Sequence, residues 1–350
     1  MIVARRHPRT VATALVVLLA LGTGALLAAT GIDPLRAGRA LIAGSLGSWY
    51  AIGSGTLVRA TPLILTGLSV AISFRAGVFN IGADGQFLVG AAAATWAALG
   101  VHSSSRLVMV PVLLGAAALA GAAWAGVAAI LRTRFHVLEV ISTLMLNFIA
   151  SYLVSYLVRG PLQEPTHVYP QTPSIATAAT LPRFGSSTRL HIGFAIAIAA
   201  CAFAWWLVRH AAAGFRLRAV GANPDAARIA GGIDVDRVTT NAFLLSGGLA
   251  GIAGAIEVSG VTFALYENIS PGYGYTAIAV ALLARLDPGA VIVTGILFGA
   301  LETGASAMQR DAGAPSVVVS IIEAGIILAL VVVERLRVRG TALTARVVSE

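Results

Sequence analysis

Lysine is missing altogether: all 24 basic residues of this 350-residue chain are arginines. A phosphate-cradling loop of the nucleotide hydrolases places a lysine on the phosphates, so that site is excluded here, and Schiff-base chemistry lacks its amine. Cysteine is nearly missing. Cys201 stands alone, which excludes a disulfide within the chain, and its apolar surroundings make it packing material. The six histidines are scattered without metal-ligand spacing, so no metal site and no cofactor is expected. No paired carboxylates or serine–histidine arrangement suggests catalysis. Charge is scarce as a whole: 11% of residues, where a soluble domain carries about 25%.

What is present is hydrophobic: 57% of residues, with a mean hydropathy of +0.86. A bilayer-spanning helix needs about 20 apolar residues. Ten stretches approach that length: 11–29, 56–74, 84–100, 106–131, 137–158, 190–208, 238–259, 273–286, 288–306 and 316–334. The expectation is an all-α, polytopic integral membrane protein of about 10 transmembrane helices. The eighth stretch is short, which suggests a tilted or broken helix. Residues 11–29 exceed the about 7–15 residues of a signal-peptide core and are expected to stay as an N-terminal anchor.

The net charge of +9 could suggest nucleic acid, but the arginines lie in short gaps between apolar runs, which fits orientation in a bilayer and no nucleic-acid partner. Ten spans put both termini on one side. Sixteen arginines then fall on that side and eight on the other, which predicts cytoplasmic termini. Residues 33–54 suggest an interfacial helix on the outer face. Residues 160–189, with Pro161, Pro165, Pro170, Pro173 and Pro182, suggest an outer loop ordered against the membrane domain or a partner.

Between two apolar runs lies "GFRLRAVGANPDAARIAGG" (214–232). Asn223 suits an N-cap, Pro224 the first helical position, and Asp225 the positive end of the dipole. Arg228 stands three residues on, within reach of Asp225. Gly231 and Gly232 stop the helix. Two turns are marginal in water. A capped helix with small exposed residues at Ala226, Ala227 and Ala230, flanked by Arg216, Arg218 and Gly221, is expected to dock on a cytoplasmic partner.

Polar residues inside apolar runs need partners or a wet cavity, since a mid-bilayer charge costs about 2.5–3.5 kcal/mol. Asn80, Asp84 and Gln86 cluster at a glycine-punctuated entry to the third span. Two readings stand: a kink lining a translocation path, or capping of the helix end by Asp84 with Arg75 as its partner. Ser142, Thr143 and Asn147 lie in the fifth span. Asn147 is the candidate for contacting a polar substrate, with an interhelical hydrogen bond as the alternative. Gly247, Gly251 and Gly254 have the spacing of close helix packing.

Several linked motifs resemble one family. "GVFNIGADGQFLVGA" (77–91), "HVLEVISTLMLNFIA" (136–150), "VGANPDAARIAGGI" (220–233), "YTAIAVALLARLDPGAV" (275–291) and "LFGALETGASAMQ" (297–309) follow the order seen in permease subunits of ATP-binding-cassette importers. The likeness is to the branched-chain amino acid and simple-sugar permeases, in the nucleoside-importing branch. It covers about 56–335. Asp84 stands where that family usually has glutamate, and Ala284 where it often has glycine.

The resemblance implies one permease domain over 1–350: an anchor at 11–29, a core at 56–334, a cytoplasmic coupling loop at 209–237 and a basic cytoplasmic tail at 335–350. It implies no enzymatic activity in this chain. Two ATPase subunits would drive it, with Arg216, Arg218, Gly221, Asn223, Pro224, Asp225, Ala226, Ala227, Arg228 and Gly231 as the coupling contacts. A second, different permease subunit, an extracytoplasmic substrate-binding protein and membrane lipid complete the implied partners, in the inner (plasma) membrane. Import of nucleosides or simple sugars by alternating access would follow, with Asn80, Asp84, Gln86, Ser142, Thr143 and Asn147 along the path. The rival is an ion-coupled secondary transporter using Asp84, Glu257 or Glu302.

Overall fold

The computed structural model describes residues 8–185 and 187–315, and beyond these only 317, 318, 320, 321, 324 and 325. Most of the expected tenth span at 316–334 and all of the basic tail at 335–350 therefore fall outside the described residues. Among the described residues the chain forms α-helices and no strands. The helices are α1 (Pro8–Ala29), α2 (Pro34–Leu46), α3 (Leu57–Arg75), α4 (Ala83–Gly100), α5 (Arg106–Phe135), α6 (Glu139–Arg159), α7 (Gly193–His210), α8 (Ala212–Ala222), α9 (Pro224–Gly231), α10 (Val235–Glu257), α11 (Tyr273–Leu283) and α12 (Pro288–Ala312). Wider π-helical turns open α3 at Ala51–Thr56 and close α10 at Val258–Thr262.

Ile52–Ala300 pack as one unit, and the described residues before and after it as a second. In the larger unit α10 is the axis, with α3, α4 and α5 around it. Helix α6 lies on α4 and α5, α11 on α3 and α4, and α7 on α3. The reason α10 can be surrounded is its lack of side chains at the crossings. A Cβ on Gly251 would sit 2.1 Å from the Ala117 carbonyl oxygen of α5, and one on Gly254 would sit 2.1 Å from the Phe87 oxygen of α4. Gly247 and Gly121 approach each other in the same way. Backbone contact of this kind gains dispersion energy that branched side chains would forbid. In the smaller unit Leu27, Ala37, Ala305 and Met308 form a separate apolar cluster.

Among the described residues six helical stretches, fewer than the ten expected, are long and apolar enough to cross a membrane: Ala51–Arg75, Arg106–Phe135, Glu139–Arg159, Gly193–His210, Val235–Thr262 and Pro288–Ala312. Helices α5, α6 and α7 present large apolar side chains outward, among them Leu107, Leu119, Tyr152, Phe203 and Trp206. Such faces need an apolar surrounding. The expected eighth span is α11, whose 11 residues reach only about 16 Å, roughly half a bilayer core of about 30 Å. Within 33–54 a helix is present, α2, whose Asp33 side chain accepts from the Leu35 N–H at 2.9 Å.

The proline-rich segment after α6 is ordered. Thr172 N–H donates to the Leu265 oxygen, Ile175 N–H to Phe263 and Leu181 N–H to Ser259, so it runs along the chain that leaves α10. Glu267 in that exit chain receives Arg159 at 2.6 Å and 2.8 Å and also the Ser155 hydroxyl. These hydrogen bonds, the arginine's first, hold the Glu267 carboxyl down at about 2.

Candidate translocation and coupling sites

The connection between α3 and α4 does not stay at the end of the bundle. Gly77, at φ +74°, turns the chain back, and the chain then climbs with Val78, Asn80 and Gly82 buried and Phe79 exposed until Asn80 meets Ser246, the middle residue of α10. Asn80 Nδ2 donates to Ser246 Oγ at 2.9 Å and to Gln86 Oε1 at 3.0 Å, while Gln86 Nε2 returns a bond to Asn80 Oδ1 at 3.1 Å. Ser246 is joined in turn to Ser69 of α3 at 2.8 Å. The two amides thus close a ring that ties α3, α4 and α10 together away from water.

Asp84 is also committed, and not in the manner expected. The N-cap of α4 is Gly82, and no ion pair joins Asp84 to Arg75. Asp84 Oδ1 instead accepts from the Ser270 hydroxyl at 2.6 Å and the Gly274 N–H at 3.0 Å. Ser270 Oγ accepts from the Gly272 and Tyr273 N–H groups. Asp84 therefore serves the free N–H groups at the start of α11. A carboxylate at a helix N-terminus is favoured by the dipole. This explains why α11 is short: it begins inside the bundle, against the start of α4. A Cβ on Gly274 would lie 2.2 Å from the Asp84 nitrogen, so only glycine permits the approach.

Helix α6 closes the node. Asn147 Oδ1 accepts from the Gly85 N–H at 2.8 Å, and its Nδ2 donates to the Ile81 oxygen at 2.9 Å and reaches Tyr275 Oη at 3.4 Å. Thr143 Oγ1 accepts from the Ile81 N–H at 3.3 Å. Ser142 stands apart, its hydroxyl donating to the Glu139 oxygen of its own helix. The structure thus brings together five of the six predicted path residues. Each of the five bonds this chain's own backbone or side chains, Asp84 through Oδ1. Ser246, Ser270 and Tyr275 belong to the same node, and the two serines escaped sequence analysis. A serine on an apolar helix carries no signal of its own until its partner is known.

At the end of the bundle where α3 finishes, α8 and α9 form a projection. Asn223 Oδ1 accepts from the Ala226 N–H at 3.0 Å, Pro224 opens α9, and Gly232 ends it at φ +57°. Two close approaches brace α8. A Cβ on Gly214 would sit 2.1 Å from the Leu207 oxygen of α7, and one on Gly221 would sit 2.0 Å from the Arg75 oxygen of α3.

The face of α9 differs from expectation. Ala227 is only 7% exposed, in a cluster with Val220 and Val235. The left-handed Gly232 folds the chain back so that Ile233 N–H reaches the Ala227 oxygen, and Ile233 covers that alanine. The outward residues are Asp225, Ala226, Arg228, Ile229 and Ala230. Ile229 is 86% exposed and was overlooked because helical spacing alone did not say which face the arm would cover. No ion pair joins Asp225 to Arg228.

Apolar helices that expose apolar faces, joined by a buried polar node and a capped projection, define a multi-pass membrane protein. Residues 52–332 match the permease components of branched-chain amino acid transport systems, and the chain belongs to that family. It is 40% identical over 91% of its length to the glucose ABC transporter permease protein TsgB13 of Haloferax volcanii, covering 86% of that protein. It is 37% identical over 89% of its length to the guanosine ABC transporter permease protein NupP of Bacillus subtilis, covering 90% of it. The nucleoside ABC transporter permease protein NupB of Lactococcus lactis is 33% identical over 86% of this chain and 85% of its own. The chain is accordingly a transport component and not an enzyme.

Proposed function

We propose that this chain is the membrane-spanning subunit of an ABC importer that moves nucleosides or simple sugars into the cytoplasm. The observation that carries the reading is α9: a two-turn helix capped at both ends, carried on α8, which is itself braced on α3 and α7, with Ile229 turned outward. An exposed isoleucine on a rigid projection suits insertion into an apolar cleft of a partner. That partner is an ATPase subunit, since the chain has no lysine for a phosphate loop of its own.

In this reading the protein crosses the inner (plasma) membrane about ten times, with the tenth span at 316–334 and both termini in the cytoplasm. The arginine bias supports the orientation. Two permease subunits of different sequence form the path, two ATPases work it through α9, and a substrate-binding protein delivers cargo to the ordered loop at the opposite end. ATP-driven closure moves the helices as rigid bodies and exposes the path to either side in turn. Asn80, Asp84, Gln86, Thr143 and Asn147 hold the two helix starts that meet mid-bundle. They shape the wall of the path, and Tyr275 carries the node to an accessible surface. Broken helices at mid-membrane are where transporters place binding sites.

The test is uptake of radiolabelled guanosine and glucose by proteoliposomes holding the complex purified through this chain. ATP-dependent accumulation of either is expected. Accumulation driven by an ion gradient without ATP would instead support the secondary-transporter reading.

A further inference from the structure

The end of the bundle that carries α8 and α9 also holds a charge cluster that neither the path nor the docking face uses. Asp287 lies in the turn between α11 and α12. Its Oδ1 accepts from the Gly289 N–H at 3.0 Å and the Ala290 N–H at 3.2 Å, capping α12. Its Oδ2 accepts from Arg209 at 3.0 Å, at the end of α7. The Arg209 guanidinium lies over the Trp205 ring, 5.1 Å from its centre, which fixes the arginine's direction. Arg75 at the end of α3 is within electrostatic range of Asp287, Arg209 and Arg218 of α8. Asp287 is thus paired with Arg209 of α7, with Arg75 of α3 in electrostatic range.

The turn that bears Asp287 is itself tightly specified. Arg285 and Leu286 have φ of +52° and +59°, a left-handed pair that side-chain-bearing residues rarely adopt. The Leu286 N–H bonds the Ala281 oxygen and the Asp287 N–H the Ala284 oxygen, so α11 hands directly to α12 without slack. A displacement of Asp287 is transmitted to both helices. Helix α11 in turn begins at Asp84, in the polar node.

We propose that Asp287 is a positioning residue for coupling: with Arg209 it latches the α7–α8 arm to the α11–α12 turn, so that movement of α9 reaches the start of α11 mid-bundle. This rests on the reading that an ATPase docks on α9. Without the carboxylate, Arg75 and Arg209 would repel across the joint the latch closes.

Backbone hydrogen exchange of the whole purified complex, with and without ATP and vanadate, tests this. In the parent complex, segments 224–231 and 284–290 should both change exchange on trapping. Asp287→Ser keeps a capping oxygen for α12 but removes the charge. Arg209→Gln breaks the same pair without touching the cap. Both variants should keep the nucleotide response at 224–231 and lose most of it, about threefold or more, at 284–290. A full response at 284–290 in either variant would overturn the latch. So would a parent complex in which 284–290 never responds. A parent with no response at 224–231 would overturn the docking reading itself, which separates the two failures.

Discussion

Truncating Ile229 to alanine removes three carbons from the outward face of α9. Each buried methylene is worth about 0.8 kcal/mol. Ile229 is 86% exposed in the free chain, so nearly the whole gain is still available on docking. Ile229→Ala should therefore cost about 2 kcal/mol of binding, a loss of about 30-fold in affinity for the ATPase. The fold should not suffer, because alanine is the better helix former and none of the described residues covers the isoleucine. The assay is titration of the detergent-solubilised ATPase against immobilised permease, with thermal unfolding of the free subunit as control. Equal affinity for parent and variant, at unchanged stability, would refute the idea that this side chain enters a cleft. Ala227 offers the contrast: Ala227→Asp buries a charge beside Val220 and Val235 and should destabilise the arm before any partner binds.

Gly251→Val should cost several kcal/mol, about 3 or more, because its first carbon already meets the Ala117 oxygen at 2.1 Å, whereas Gly248→Ala at 3.5 Å from the Ala118 oxygen should be tolerated; thermal unfolding in detergent compares them. Asn147→Leu strands the Gly85 N–H and the Ile81 oxygen, each at about 1–3 kcal/mol, so lowered thermal stability is expected; full stability with impaired uptake would point to substrate contact instead. The Glu267 carboxyl sits at about 2, below its ordinary 4.5, so its pairing with Arg159 stabilises fully above pH 4.5 and is lost as pH falls through about 2. Arg159→Gln should accordingly lower the unfolding temperature at neutral pH, and the gap from the parent should close near pH 2.

The local readings that held rest on interactions within a few residues. Asn223, Pro224 and Gly232 specify α9 by capping and backbone conformation alone, so its bounds were legible to within a residue. The glycines of α10 announced close packing by their spacing, and the contacts to α4 and α5 are there. Asp84 shows the opposite case. Its neighbours in sequence suggested either a path-lining kink or a cap for α4 with Arg75 as partner, yet its partners are Ser270 and Gly274, far along the chain. Ala227 and Ile229 exchanged roles for the same reason. Which side of a helix is covered depends on where the chain returns after Gly232.

The amino-acid order by itself determined that this is a helical membrane protein without lysine chemistry, where its apolar helices run, and that a capped helix stands between two of them. Those properties follow from composition, from 3.6-residue periodicity and from short-range hydrogen bonds. Only the tertiary structure decided that two helices begin mid-bundle against each other, that Asp84 holds the junction and that Asp287 joins arm to turn. Those pairings span up to 190 residues, and no local free-energy difference selects them before the helices have packed.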